Sequence, residues 1–147
     1  MCGIVAYKGH KNCHPILLNG LKRLEYRGYD SAGIATLNSG YIQEVKCEGR
    51  VDNLEKNIIK NKLLGNVGIG HVRWATHGIP STLNAHPHSS DNVSVVHNGI
   101  IENSTLLKKF LVKKGHKFKS QTDTEVIVHL ITCLLYTSDA ADEEDSV

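Results

Sequence analysis

Two rhythms of apolar residues alternate along the chain: short runs bounded by glycine, and stretches where leucine or isoleucine returns every three or four positions. Ile4 to Lys8 and Ala32 to Leu37 are runs of the first kind and predict buried strands. Between them Leu17, Leu21 and Leu24 keep helical spacing, with Lys22 and Arg23 near the end of that helix, ahead of Gly28. Tyr41 to Cys47 alternates like a strand with one wet face. Val51 to Leu63 predicts a polar amphipathic helix carrying Leu54, Ile58 and Ile59 inward. Val67 to Val72 and Val93 to His97 predict two further strands. The segment between them, Thr76 to Asn92, holds two prolines and much Ser, Asn and His, and so predicts a loop. Leu106, Leu107, Phe110 and Leu111 mark another helix, and Thr122-Asp123-Thr124-Glu125 is a capping-box pattern ahead of the apolar run Val126 to Leu135.

Strands and helices are mixed here without strict strand-helix-strand alternation. That predicts an α+β fold, with mostly antiparallel strands and helices packed on the sheet faces. At 147 residues, 40% hydrophobic, the chain can build one core of ordinary domain size. Its formal net charge of +2 gives no argument for nucleic acid or for an anionic membrane surface. The lysine-rich run from Lys108 to Lys119 reads as a solvated helix face. No stretch reaches the ~20 apolar residues of a membrane-spanning helix, and the N-terminus lacks the features of a secretion signal. These point to the cytoplasm, where thiols stay reduced. The four cysteines, Cys2, Cys13, Cys47 and Cys133, form no C-x-x-C pair, so neither a disulfide framework nor a zinc ribbon is expected.

The chemistry begins at Cys2. Removal of Met1, efficient before a small residue, would give Cys2 a free α-amino group. A thiol titrates near pH ~8.5 and an α-amine near ~7.7–8.0, so nucleophile and base could share one residue. The alternative is a small buried cysteine at the head of a strand. In Arg73-Trp74-Ala75-Thr76-His77-Gly78, an arginine sits where a strand opens into a polar loop; it could fork onto a carboxylate or lie on the surface. Asn98-Gly99 could be a hairpin turn, or two donors to a developing oxyanion. Asp123 could cap a helix or hold an ammonium group. Arg27-Gly28-Tyr29-Asp30-Ser31 adds polar groups ahead of a buried strand.

Six segments appear in order: Met1-Cys2-Gly3-Ile4-Val5, Arg23 to Gly33, His71 to Gly78, Asn84-Ala85-His86-Pro87-His88, His97 to Asn103 and Thr122 to Glu125. Together they closely resemble the N-terminal, class II glutaminase domain of the glutamine–fructose-6-phosphate aminotransferase family, from Met1 to about Thr132. The resemblance implies an N-terminal-nucleophile hydrolase fold, two stacked and mostly antiparallel sheets between helical layers in an αββα sandwich. It implies catalytic roles for Cys2, for Asn98 and Gly99 as the oxyanion hole, and for Arg27 near the nucleophile. It also implies a site for L-glutamine built from Arg73 on the α-carboxylate, Asp123 on the α-ammonium, Thr76 and His77 lining the pocket, and Trp74 on the loop that closes over it. No cofactor and no metal are expected, although nine histidines, among them His86 and His88, invite the question. In the longer enzymes of the family a sugar-phosphate isomerase domain, absent from this chain, receives the ammonia, and a homodimer is expected.

Residues 1–132 are thus expected to form a partial glutaminase domain. Its incompleteness would leave a sheet edge and an apolar face uncovered, at a cost in stability. Cys133 to Val147 departs from the family pattern and resembles translated read-through of a sequencing adapter. Two other functions fit fewer of the residues: an amidohydrolase for a different amide, and a binding module that keeps the pocket without turnover.

Overall fold

The computed structural model describes the backbone of residues 1–144, and side chains through Ser138. Among the described residues the elements run β1 (Gly3–Lys8), α1 (His14–Leu24), a 3₁₀ turn (Glu25–Arg27), β2 (Ser31–Asn38), β3 (Tyr41–Glu48) and α2 (Val51–Asn61). They continue with β4 (Val67–Arg73), β5 (His88–Ser89), β6 (Ser94–Val95), α3 (Ser104–Lys113) and α4 (Glu125–Glu144). Strands β1-β4-β2-β3 form one sheet in that order and β5-β6 a second, small one; every pairing is antiparallel.

One face of the large sheet is covered by α1 and α2. Leu17 and Leu21 of α1 and Leu54 of α2 are fully buried there, with Ile34, Val45, Cys47 and Val72 beneath them. Burying each leucine contributes about 1.5–3 kcal/mol. Close approach depends on glycine: a Cβ at Gly68 would stand 2.8 Å from Leu17 Cδ1, and one at Gly70 would stand 3.1 Å from Leu21 Cδ1. The opposite face carries Gly33, Ala35, Ile69, His71 and Arg73, since alternate residues of a strand share a face. It packs on the segment leading into β5, where His71 stacks on His86 with ring centroids 4.2 Å apart. Helix α4 packs on β5 and β6, and α3 on α4. The layers therefore follow the order helix, sheet, sheet, helix.

Three expectations are corrected. Ile59 is 73% exposed, because it lies about 100° round the helix from Ile58 and off the stripe of Val51, Leu54 and Ile58. The strand expected over Val93 to His97 shrinks to Ser94–Val95, and its partner β5 lies inside the segment expected to be loop. One reason is Pro87: it would face Val96 on the next rung and has no N–H to donate. The capping box does not close either. Thr122 Oγ1 is engaged by His88 Nε2 at 2.7 Å, and the Glu125 carboxylate instead accepts from Lys119 N, Ser120 N and Ser120 Oγ at 2.8, 2.7 and 2.6 Å.

The lysines from Lys108 to Lys119 are exposed, but only Lys108, Lys109 and Lys113 lie on α3; Lys114, Lys117 and Lys119 follow its end, so the run is solvated without forming one helix face. Among the described residues no helix is long and apolar enough to cross a membrane. The tail read as foreign from Cys133 to Val147 falls partly in α4, which continues to Glu144; residues 145–147 lie outside the described residues.

Candidate active site

Antiparallel register brings distant residues to one end of the large sheet. Gly3 pairs with Val72 and Ser31 with Arg73, so the start of β1, the start of β2 and the end of β4 meet there. Cys2 precedes β1 and Trp74 follows β4. The Trp74 N–H donates to Cys2 Sγ at 3.3 Å, and the thiol lies 3.7 Å from Trp74 O. Arg27, at the end of the 3₁₀ turn, donates through Nε to the Cys2 carbonyl at 3.0 Å.

A cavity of about 350 Å³ opens beside the sulfur. Its walls bring together Cys2, Arg73, Trp74, Thr76, His77, Asn98, Gly99 and Asp123, eight of the nine residues singled out in the sequence. Arg27 stands behind Cys2, on a neighbouring depression shared with Asn98. Besides Met1, five further wall residues escaped the sequence reading as site residues; four of them are His97, Ile100, Thr122 and Thr124. Each adjoins a residue that was singled out, and that adjacency is the signal that could have found them. His86, which also lines the cavity, comes from the polar loop and had no such neighbour.

Arg73 is 3% exposed. Its Nη atoms donate to the carbonyls of His77, Gly78 (3.3 Å) and Ile79 (3.4 Å), which curls the 77–79 turn round the guanidinium. Burial disfavours the Arg73 cation, while Cys2, Asp30 and Asp123 nearby oppose that penalty; arginine remains charged. Asp123 Oδ2 accepts from Ile101 N at 2.7 Å, which ties the segment after Asn98-Gly99 to the start of α4. Asn98-Gly99 is accordingly no hairpin turn: it sits on the connection from β6 to α3, with both residues exposed toward the cavity. Trp74, 48% exposed, stands at the rim with Tyr29 edge-on to its ring at 6.0 Å.

Behind the cavity lies a column of imidazoles. His71 stacks on His86, and His88 meets His86 edge-on at 4.7 Å. Burial, reinforced by neighbouring cationic groups, lowers His71 to about 4 and His88 to about 3, and holds His86 well below the ordinary range. All three are neutral near pH 7. Both ring nitrogens of His71 are buried without a hydrogen-bond partner among the described residues. Among the described residues no group of three or more His, Cys, Asp or Glu is arranged to hold a metal ion.

Comparison with known proteins bears on the family and the fold. Residues 55–134 match the family described as "Glutamine amidotransferase domain". The chain is 62% identical over 133 residues to a glutamine–fructose-6-phosphate aminotransferase [isomerizing] of Clostridium acetobutylicum, covering 89% of this chain and 22% of that protein. It is 57% identical over 133 residues to the protein of the same name from Pyrococcus horikoshii, with the same coverage. The chain thus spans about a fifth of the length of these relatives. Among solved structures, the glutamine phosphoribosylpyrophosphate amidotransferase from B. subtilis superposes with a TM-score of 0.75 at 32% identity, covering 90% of this chain and 29% of that one. A structure titled as the allosteric regulatory enzyme of purine biosynthesis gives 0.77 at 33%, with the same coverage. The fold is that of the N-terminal-nucleophile hydrolases, as expected from the sequence.

Proposed function

The chain belongs to the glutamine amidotransferase family, and from that membership we propose that it hydrolyses L-glutamine through a thioester on Cys2. The observation that carries this reading is the cavity in which Cys2 Sγ, held by the Trp74 N–H, shares walls with Asn98, Gly99, Arg73 and Asp123. Met1 is 75% exposed, so it is open to removal, which gives Cys2 its amine. That amine takes the thiol proton. The sulfur attacks the side-chain carboxamide carbon, and negative charge gathers on the carboxamide oxygen. The Asn98 amide and Gly99 N–H are the donors for that oxygen, and removing one such donor typically costs ~10²–10³ in rate. Collapse of the intermediate breaks the C–N bond, the proton goes to the leaving ammonia, and a thioester remains. Water then hydrolyses it to glutamate and restores the thiol.

The other roles follow from charge and position. Arg73 pairs with the substrate α-carboxylate: a guanidinium has five N–H donors, and the three carbonyls of the 77–79 turn leave some over. Asp123 holds the α-ammonium, Thr76 and His77 line the pocket, and Trp74 closes over it. Arg27 fixes the nucleophile from behind through the Cys2 carbonyl. The ammonia would serve conversion of fructose 6-phosphate to glucosamine 6-phosphate by the longer protein, in the cytoplasm, through an isomerase domain and a homodimer.

The test is glutamate release from glutamine by the purified chain, with the N-terminal residue identified by intact mass. Release that disappears in Cys2→Ala is the expected result. Release that survives in Cys2→Ala refutes the assignment, and no release from a folded chain beginning at Cys2 favours a pocket without turnover.

A further inference from the structure

Asp30 lies outside the cavity, yet the segment Arg27 to Asp30 clasps everything that holds the sulfur. Gly28 lies flat on the Arg73–Trp74 peptide: a Cβ there would stand 2.5 Å from the Arg73 carbonyl carbon and 2.8 Å from Trp74 N. The Asp30 N–H donates to Arg73 O at 3.2 Å, and Asp30 O accepts from Gly49 N at 2.8 Å, which anchors the aspartate backbone to the neighbouring strand end. Its carboxylate Oδ2 accepts from Ala75 N at 2.7 Å. At this point β4 has left the sheet, and Ala75 is one residue past the Trp74 N–H that points at Cys2 Sγ. The side chain therefore continues the ladder where the main chain cannot. A charge-assisted bond of this length is among the stronger single constraints on a loop.

Resting on Cys2 as the nucleophile, we infer that Asp30 is a positioning residue: by fixing the Ala75 N–H it sets the Trp74 N–H as a donor to the Cys2 sulfur. A donor aimed at sulfur favours the thiolate, so its aim governs how readily Cys2 reacts. What matters for the sulfur is where the Asp30 oxygen sits; its charge also offsets the burial of the Arg73 cation, a separate effect that does not aim the Trp74 N–H.

Two variants separate position from charge. Asp30→Asn keeps an acceptor oxygen at the same reach and loses the charge. Asp30→Glu keeps the charge and displaces it by one methylene. Each is treated with iodoacetamide across pH 6 to 10, the thiolate displacing iodide, and modification is followed on the N-terminal peptide by mass spectrometry. Asp30→Asn should track the wild-type pH–rate profile. Asp30→Glu should move its midpoint upward by about half to one pH unit, slowing alkylation about three- to tenfold on the rising limb. Glutamate release should then show a fall in kcat in Asp30→Glu with little change in KM. The reverse pattern, a displaced profile in Asp30→Asn and a normal one in Asp30→Glu, overturns the inference in favour of charge alone; two unmoved profiles overturn it outright. Alkylation needs no glutamine, so this result stands apart from whether the chain turns glutamine over.

Discussion

Acidification should unfold this domain through its imidazole column, between pH 7 and 5 and ahead of most carboxylates. His71, His86 and His88 are buried and neutral when folded, with values of about 4, well below the ordinary range, and about 3 against an ordinary 6.5. The sign follows from linkage. A histidine whose folded value is depressed binds more protons unfolded, so the stability of the native state falls as pH drops below 6.5 and goes on falling until the folded value is reached. At pH 5 all three are still unprotonated in the native state. The loss from pH 7 to 5 is therefore set by the unfolded value and hardly depends on how far below 5 each folded value lies. It comes to about 2 kcal/mol per imidazole, or about 5–6 kcal/mol for three, a large share of a stability of about 5–15 kcal/mol. Glu125 acts lower down: burial alone would raise it, but bonds from Ser120, Lys119 and His129 outweigh that and leave it depressed, so its contribution is lost only as pH falls below the ordinary 4.5. Urea unfolding followed by Trp74 fluorescence at pH 7, 6 and 5 measures the slope. In His71→Leu the pH 7-to-5 loss should shrink by about a third, and stability at pH 7 should hold within about 1 kcal/mol, because among the described residues neither His71 ring nitrogen makes a well-formed hydrogen bond and the nearby His97 backbone is the one polar neighbour it would leave. A free energy of unfolding that stays level from pH 7 to 5 refutes the reasoning, as does a His71→Leu slope equal to wild type.

Three substitutions probe the rest of the frame. Gly33→Ala would place a Cβ 2.1 Å from the backbone oxygen of His86, where the two sheets meet. It should cost about 1–3 kcal/mol, read as a fall in Tm of several degrees, and an unchanged Tm would show that the layers can slide apart freely. Asn98→Ala should lower kcat for glutamate release about 10²–10³-fold with KM within a few-fold; a kcat within threefold of wild type removes Asn98 from the oxyanion hole. Arg73→Lys should raise KM for glutamine about 10- to 100-fold, since a point charge cannot hold three backbone carbonyls and fork onto a carboxylate together. If KM stays level, the guanidinium serves the 77–79 turn alone.

What could be read from the sequence divides along a physical line. Period-two and period-3.6 patterns report one face of one element, so β1, β2, β3, β4 and α2 lie within two residues of their expected ends. Ile59 failed because a helical stripe can take in either or both of two adjacent isoleucines, and only the position of the sheet under α2 places the stripe over Leu54 and Ile58 and leaves Ile59 outside it. The short sheet failed for a different reason. Two-residue strands carry no period, and β5 begins after a proline in a segment whose composition says loop.

The site was legible in its parts and silent in its assembly. Cys2, Arg73, Asn98-Gly99 and Asp123 drew notice through their chemistry and through a resemblance, but their meeting depends on register. Pairing Gly3 with Val72 sets the N-terminus beside Trp74; a slip of one residue would turn every side chain of β1 to the other face. Register depends in turn on α1, whose leucines find room only above Gly68 and Gly70. Asp30 was legible only as one of the polar groups ahead of β2, with no role attached, because its work is done on backbone groups of other segments. A sequence displays the atoms that touch substrate through their chemical type. The atoms that aim them become visible only once the chain has brought an aspartate at 30 to an amide at 75.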